Sequence, residues 1–269
     1  MRYKLSYTRG RAKNGGRRIA RVNIGKEALL VLLNGFGPGV GDLRLEARDM
    51  SLTGTVAMKT HMLHTSVSAD VEDPGAIVIS DLGKLLTFTK ALPKESMVSL
   101  YQPSETPLRV LSGNVDLTLP YSDYVHSNVR TSKALALKED SERDNWKHWG
   151  GEPLTCYGKL HTSDLMQVQT LEKIVGKNHS IKTRFSVKDK TWNITAGEKG
   201  TANMTVSVEI EDCAGPPRSC KSSFGGWFPS VVDCVPPGVV ELYTSHKFVL
   251  ILRHTEKEHL LVILDQRGD

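Results

Sequence analysis

The residues with the clearest chemical potential in this sequence are lysines on a short helical pattern. Residues 79–93, ISDLGKLLTFTKALP, lie between segments that alternate like strands, with Ser80 predicted as the N-cap and Pro93 as the stop. A row of long cations could contact phosphates without reading bases, although any surface helix shows a charged outer side. On a helical wheel the apolar side carries Leu82, Leu85, Leu86 and Leu92. The opposite side carries Lys84, Lys90 and Lys94.

No catalytic or metal-binding set accompanies these lysines. The glycine-rich residues 35–41 follow a helical pattern and lack a Gly-Lys-Ser/Thr ending, so we interpret them as a turn rather than a nucleotide loop. His61 and His64 lie three apart in a strand-like segment, where side chains at that spacing point to opposite faces. We therefore predict no enzyme activity, no metal and no cofactor.

The cysteines and apolar runs bear on the compartment. Cys156, Cys213, Cys220 and Cys234 match no CxxC zinc pair. Cys213 and Cys220 flank a Gly-Pro-Pro loop and could oxidise in a secreted protein, whereas idle thiols are expected in a reducing cell. The longest apolar run is too short for a membrane span or a signal peptide. The sequence predicts a cytoplasmic protein of a bacterial, archaeal or phage-infected cell, or a nuclear one in a eukaryote.

Positive charge is concentrated at the N-terminus. The net charge is +5, yet residues 1–26 hold nine Lys and Arg and no acid. Removing these nine from the total of 35 leaves 26 basic against 30 acidic residues, so the rest of the chain is acidic. Residues 1–17 are predicted as a basic arm that either contacts DNA or solubilises the chain. The candidate DNA contacts in this arm and directly after it are Arg9, Arg11, Arg17 and Arg18.

The alternating and helical segments follow one order twice. Strand, helix, three or more strands, helix and three strands occur in residues 18–120 and again in residues 153–269, without repeated letters. Residues 121–152 lose this periodicity and are predicted as a connector between domains. Hairpin-linked strands with single helices between them predict an α+β fold, in which two similar domains of antiparallel sheets each carry two helices on one face.

Several of these stretches resemble the two-domain, ring-forming DNA sliding clamps, including proliferating cell nuclear antigen and phage polymerase processivity factors. The resemblance covers nearly all of residues 18–265. Besides ISDLGKLLTFTKAL, it rests on DLRLEARDMSLTGTVAM, GKLHTSDLMQVQTLEKI, SIKTRFSVKDKTWNITAGEKG and VPPGVVELYTSHKFVLILRHTEKEHLLVIL. It implies a sequence-independent clamp around double-stranded DNA whose inward helices touch phosphates. The implied contacts are Lys26, Lys84, Lys90, Lys94, Lys173 and Lys177.

The same resemblance implies partners. Three chains would join head to tail as a homotrimer, through residues 105–113 of one chain and residues 188–197 of the next. A DNA polymerase and other client proteins would dock between the connector and the C-terminal domain, and an ATP-dependent clamp loader would open the ring. The matching positions are Val125, Leu135, Leu137, Val235, Pro236, Pro237, Val262, Ile263 and Leu264.

Two features depart from the clamp pattern. The basic arm has no counterpart in the typical clamp, and the segment SSFGGWFPSVVDCV is a poor helix with no lysine after Lys221. The arm also favours a second hypothesis, a β-rich viral structural protein that binds packaged nucleic acid through residues 1–17. Under that hypothesis deletion of the arm abolishes DNA association, whereas in a sliding clamp the deletion would only weaken DNA association.

Overall fold

The computed structural model describes residues 19–37, 40–58, 60–122, 138–139, 147–149, 152–175, 180–197, 203–216, 219–246 and 249–264. The chain divides into two compact units, residues 1–56 with 64–129 and residues 57–63 with 130–269. The hairpin segment 57–63 therefore groups with the second unit. Nothing in its alternating sequence indicates this, because the pattern shows only that one side of the hairpin is buried.

The first unit contains nine strands and two helices within its described residues. These elements are β1 Ile19–Gly25, α1 Lys26–Asn34, β2 Leu43–Arg48, β3 Ser51–Ala57, β4 His61–Ser68, β5 Asp70–Asp73, β6 Gly75–Ile79, α2 Leu82–Ala91, β7 Met97–Pro103, β8 Leu108–Ser112 and β9 Val115–Leu119. One sheet has the order β5-β1-β7-β8-β9, and β6, β2, β3 and β4 lie side by side in that order. Strand β1 pairs antiparallel with β5 and β7, and β8 pairs antiparallel with β7 and β9. Strand β2 pairs antiparallel with β3 and β6.

The second unit repeats this plan. Its elements after the connector are β13 Cys156–His161, α3 Thr162–Val175, β14 Ile181–Ser186, β15 Thr191–Ala196, β16 Met204–Glu209, β17 Glu211–Ala214, β18 Cys220–Phe224, α4 Phe228–Val232, β19 Val239–Thr244, β20 Val249–His254 and β21 Glu258–Leu264. Strands β17, β13, β19, β20 and β21 lie side by side in that order, and a four-stranded sheet has the order β16-β15-β14-β18. Before them, three short antiparallel strands occur where the sequence predicts only a connector: β10 Lys138–Glu139, β11 Lys147–Trp149 and β12 Glu152–Leu154.

The two units therefore share one topology. Adding twelve to each strand number of the first unit gives the strand order of the second, and the helices occupy matching places in the chain. The predicted α+β class, with two similar antiparallel domains and two helices in each, is confirmed.

Both helices of the first unit pack through leucines. Leu29, Leu32 and Leu33 of α1 are buried, as are Leu82 and Leu85 of α2. Helix α2 begins one residue later than predicted, because Asp81 and not Ser80 is its N-cap: the Asp81 carboxylate accepts a hydrogen bond of 2.8 Å from the Lys84 backbone N–H. A carboxylate at this position also interacts favourably with the positive end of the helix dipole.

Four short strands were missed by the sequence pattern, namely β5, β6, β17 and β18. Each has only four or five residues, too few for alternation to stand out from the flanking glycines, prolines and acids. The segment SSFGGWFPSVVDCV, predicted as a poor helix, is helical only over Phe228–Val232. Phe224 instead ends β18, where it pairs with Ile181, so sheet pairing shortens the helix.

The cysteine pairing also differs from the sequence interpretation. Cys156 and Cys220 form a disulfide, whereas Cys213 and Cys234 are free. The disulfide joins β13 to β18, and its two cysteines are separated by 64 positions in sequence. Linear spacing drew attention to Cys213 and Cys220, but only the fold brings Cys156 close to Cys220.

One sheet edge of the first unit is closed by a side chain. Gln102 of β7 is buried, and its amide lies beside the outer edge of β6. Its Oε1 accepts a hydrogen bond of 2.6 Å from the Val78 N–H, and its Nε2 donates to the Val78 carbonyl at 3.3 Å and to the Thr106 carbonyl at 2.9 Å. The glutamine thus satisfies backbone groups of β6 that a further strand would otherwise use.

Candidate nucleic-acid interface

The α2 lysine surface, defined as Lys84, Lys90 and Lys94, is exposed as predicted. Its lysines stand opposite the buried Leu82 and Leu85, so the helix is anchored through its apolar side. Lys90 lies in the last turn, where a cation offsets the negative end of the helix dipole.

Local carboxylates neutralise this surface only in part. Lys84 Nζ lies 3.9 Å from Asp81 Oδ2, and both side chains are well exposed, so this ion pair is weak. Glu95, next to Lys94, is the other nearby acid and is exposed. Three cations against two carboxylates leave a positive surface that can approach phosphates.

Lys26 has a different position from the other predicted DNA contacts. It is half-buried at the start of α1, and its Nζ donates hydrogen bonds to the carbonyls of Leu92 and, at 3.2 Å, of Lys90. These carbonyls belong to the C-terminal end of α2, which lacks intrahelical donors. Lys26 therefore caps the helix that carries the lysine surface, and a contact of its own with DNA stays a prediction.

The described part of the second unit adds no cation to this helical surface. Helix α3 exposes Ser163, Asp164 and Gln167, and Lys173 lies within its bounds although its side chain is outside the described residues. Helix α4 is mostly buried and contains no lysine, in line with its expected poor phosphate contact. Lys177 and the arm residues Arg9, Arg11, Arg17 and Arg18 also lie outside the described residues.

Helix α3 begins at Thr162, and the side chain of the preceding residue caps it. His161 Nδ1 accepts a hydrogen bond from the Ser163 N–H at 3.3 Å. The histidine thus satisfies one of the first-turn N–H groups that lack a partner within the helix.

Of the predicted partner-binding residues, Pro237 is the one exposed side chain within the described residues. Val235 and Pro236 are buried. Pro237 is held by its carbonyl, which accepts 3.0 Å and 3.1 Å hydrogen bonds from His254 Nε2 and Lys257 Nζ. Val125, Leu135 and Leu137 lie outside the described residues, as does the side chain of Leu264.

Val262 and Ile263, two of the predicted partner-binding residues, have buried side chains. Both lie in β21, where the two faces of the strand are covered, and each is at most 1% exposed. Their backbones pair with Ile251 and Leu250 of β20. The apolar tail forms core, which a sequence run of Leu, Val and Ile cannot distinguish from a docking surface.

The two segments predicted for subunit contact do not contain edge strands. Residues 105–113 contain β8, which is already paired with both β7 and β9, and residues 188–197 contain β15, which is paired with both β14 and β16. A strand with two neighbours has no free backbone row to offer a second chain. The edges next to them are β9 and β16, and each has a single partner strand.

Among the described residues, no group of three His, Cys, Asp or Glu side chains is placed to hold a metal ion. None of the helices in the described part of the chain is long and apolar enough to cross a membrane. What the described surfaces offer is a set of fixed cations and, among the edge strands, β9 and β16.

Solved structures with the same fold are DNA clamps. The chain resembles proliferating cell nuclear antigen (PCNA) from Entamoeba histolytica with a TM-score of 0.69 and 11% identity, covering 93% of this chain and 100% of the other. PCNA from A. fulgidus, solved with the C-terminal region of FEN-1, gives a TM-score of 0.67 and 13% identity, covering 93% and 99%. The DNA polymerase III beta subunit from Thermotoga maritima gives 0.70 and 8% identity, covering 98% and 69%.

Sequence comparison alone gives no such match. No protein-family model matches the chain, and no curated protein matches it. The likeness therefore lies in the backbone fold, which at 8–13% identity is preserved while most side chains differ.

Proposed function

We propose that this chain, which has the fold of the ring-forming DNA sliding clamps, is a non-enzymatic clamp that encircles duplex DNA and tethers a DNA polymerase. The observation that carries the proposal is the α2 lysine surface within a fold built twice from one topology. Fixed lysines without base-reading groups suit weak contacts to phosphates of any sequence. The ring's closed path, rather than affinity, would keep the protein on DNA while it slides.

The free sheet edges support closure into a ring. Strand β9 of one chain would pair with β16 of the next, a head-to-tail contact that uses a different edge on each side. Such a contact closes when the rotation between successive chains completes a circle.

Chain length supports three chains per ring. The chain covers nearly all of each PCNA chain but 69% of the Thermotoga beta subunit, which is about half as long again. If the ring contains six units, as the resemblance to the sliding clamps implies, chains of two units need three copies. The expected mass is then about 89 kDa for three chains of 29.7 kDa.

Partner proteins are proposed on the same basis. The A. fulgidus PCNA structure contains the C-terminal region of FEN-1, so a clamp of this fold can hold a short segment of a DNA-processing protein. For this chain we propose a DNA polymerase as client and an ATP-dependent loader that opens the ring. Pro237 is the residue of the described candidate surface that a client could reach.

Retention on closed DNA tests the proposal. The protein is loaded on nicked circular DNA and half of the sample is linearised before gel filtration. A clamp stays with the circular DNA and leaves the linear DNA, whereas equal retention on both, or a 29.7 kDa monomer at micromolar concentration, would contradict the proposal.

A lysine variant and an arm deletion extend this test. Replacing Lys84, Lys90 and Lys94 by Gln should lower the slope of log K against log[salt] by about 2.7, or ~0.9 for each lost phosphate contact. Deleting residues 1–17 should leave topological retention intact. Loss of all DNA association on deletion would instead support an arm-binding structural protein.

A further inference from the structure

The four-stranded sheet of the second unit has a cationic surface that the helices do not cover. We define the basic sheet face as the exposed side chains Lys182 and Arg184 of β14 and Lys221 of β18. The opposite face of the same sheet is buried, with Trp192 and Phe224 in ring contact with Phe228 of α4, at centroid distances of 6.1 Å and 5.0 Å. The basic sheet face therefore points away from α4.

Strand register brings the three cations together. Arg184 lies directly opposite Lys221 on the neighbouring strand, and Lys182 follows on the same side of β14 two residues earlier. Side chains two apart on a strand are about 6.6 Å apart along it. Two like charges placed directly opposite each other destabilise a sheet, so folding alone does not favour this arrangement.

The absence of carboxylate partners sets these three residues apart. The described strands carry nine Lys and Arg with described side chains, and six of them have a carboxylate oxygen within 3.5 Å. Those six are Arg21, Arg44, Arg48, Arg109, Lys159 and Arg253. The three without an ion pair in the described part of the chain are those of the basic sheet face.

The first unit provides an internal comparison. Strand β2 has the same place in its topology as β14, and it carries Arg44 and Arg48 with Glu46 between them. Glu46 lies 2.8 Å from Arg44 and 3.5 Å from Arg48 and thus neutralises both in part. Strand β14 contains no acidic residue, so Lys182 and Arg184 make this strand cationic where the equivalent strand β2 is partly neutralised.

The neighbouring side chains favour phosphate as the ligand. Asn193 lies opposite Arg184, and Thr195 lies opposite Lys182, so hydroxyl and amide donors adjoin the cations. The exposed and half-exposed side chains on this side of the four strands are polar or charged and include no aromatic ring. Protein partners favour aromatic and apolar anchors, and single-strand recognition by stacking needs rings, so neither is indicated.

We propose that the basic sheet face binds the sugar-phosphate backbone of nucleic acid without sequence preference. Phosphate contacts need cations and neutral donors at strand spacing and no base-reading group, and these are the features present. The proposal does not depend on the proposed clamp function, because it requires neither a ring nor the helical lysines.

The test measures binding of a fluorescent oligothymidylate of about 20 nucleotides, longer than the ~4–16 nucleotides covered by a typical single-strand-binding fold. Full-length protein carrying Gln at Lys84, Lys90 and Lys94 serves as the background, so that the α2 lysine surface does not contribute. Adding Lys182→Gln, Arg184→Gln and Lys221→Gln should raise Kd at least ~10-fold at low salt. The salt slope should fall by about 2, since each single-strand phosphate contact contributes ~0.7.

A matched control removes three cations elsewhere. Arg21→Gln, Arg48→Gln and Arg109→Gln cost the same charge in the first unit, at side chains that are 50%, 71% and 52% exposed. This control should leave Kd within about twofold, because exposed ion-paired arginines contribute little to phosphate binding. Equal losses in both triple variants would overturn the proposal, since net charge alone would then explain the binding.

A second variant leaves every cation in place. Asn193→Glu puts a carboxylate opposite Arg184, in imitation of Glu46 in the first unit, and should weaken oligothymidylate binding as the triple variant does. Unchanged binding by this variant would overturn the proposal, as would equal competition by polyglutamate of matched charge, which would identify an acidic peptide as the ligand. Loading on circular DNA should persist in both variants, so failure here is distinguishable from failure of the clamp proposal.

Discussion

Replacing Lys26 by Met separates helix capping from DNA contact. Methionine keeps an unbranched apolar stem at this half-buried site and removes the ammonium group that bonds to the carbonyls of Lys90 and Leu92. Those carbonyls then rely on water, and the end of α2 loses a cation near the negative pole of its dipole. Lys84 and Lys90 on the same helix, and Lys94 just after it, keep their charges.

The size of the effect follows from the two lost bonds. A hydrogen bond to a charged group contributes about 1.5–3 kcal/mol, and partial access to water reduces the loss. We expect Lys26→Met to lower the free energy of unfolding by about 1–2 kcal/mol. At ~2–4 °C per kcal/mol for domains of this size class, Tm should fall by roughly 2–8 °C.

Urea unfolding, together with DNA affinity measured over a range of salt concentrations, decides whether Lys26 caps α2 or contacts DNA. Lys94→Met is the control, because Lys94 is exposed and makes no described hydrogen bond, and its stability should stay within about 0.5 kcal/mol of the parent. If Lys26→Met keeps full stability and instead lowers the DNA salt slope by about one, Lys26 is a phosphate contact and the capping argument fails.

Two further predictions concern the second unit. Gly158→Ala in β13 should lower the free energy of unfolding by about 1–3 kcal/mol, because an added Cβ lies 2.2 Å from Ile210 Cγ2; Gly25→Ala, with open space around it, is the control in the same urea titration. Burial lowers the pKa of His254, whose Nδ1 accepts bonds from the Glu256 and Lys257 N–H groups, so its stabilising contribution is complete above about pH 6.5 and declines as pH falls through the folded-state pKa. The stability difference between pH 7.5 and pH 5 should therefore shrink in His254→Gln but not in a variant of the exposed His246, and an unchanged difference would refute the assignment.

Local patterns in the sequence predicted the helices better than the sheet edges. Leucine spacing and Pro93 placed α2 within about a residue at each end, because both signals act within a single turn of the chain. Whether β8 or β9 forms an edge depends on pairing between segments, and a short alternating run gives no sign of how many neighbours it will have.

The roles of individual cations depended on tertiary contacts. The predicted exposure of Lys84, Lys90 and Lys94 is confirmed. For Lys84 and Lys90 it follows from the helical period, whereas Lys94 lies beyond the end of α2. Lys26 meets the end of α2 across 64 positions of sequence, which no local rule anticipates. Lys182 and Arg184 alternate without acids in IKTRFS, a signal that was present in the sequence, but their proximity to Lys221 required the register of β18.

The amide of Gln102 has a consequence for how copies of this chain can polymerise. An uncovered β6 would offer a further template to incoming strands besides β9 and β16, and molecules could then add in branching or open-ended arrays. The buried Gln102 amide bonds to both the N–H and the carbonyl of Val78, so these groups are not available to pair with an incoming strand. Its replacement by leucine would be expected to produce irregular aggregates at the expense of a closed particle of fixed size.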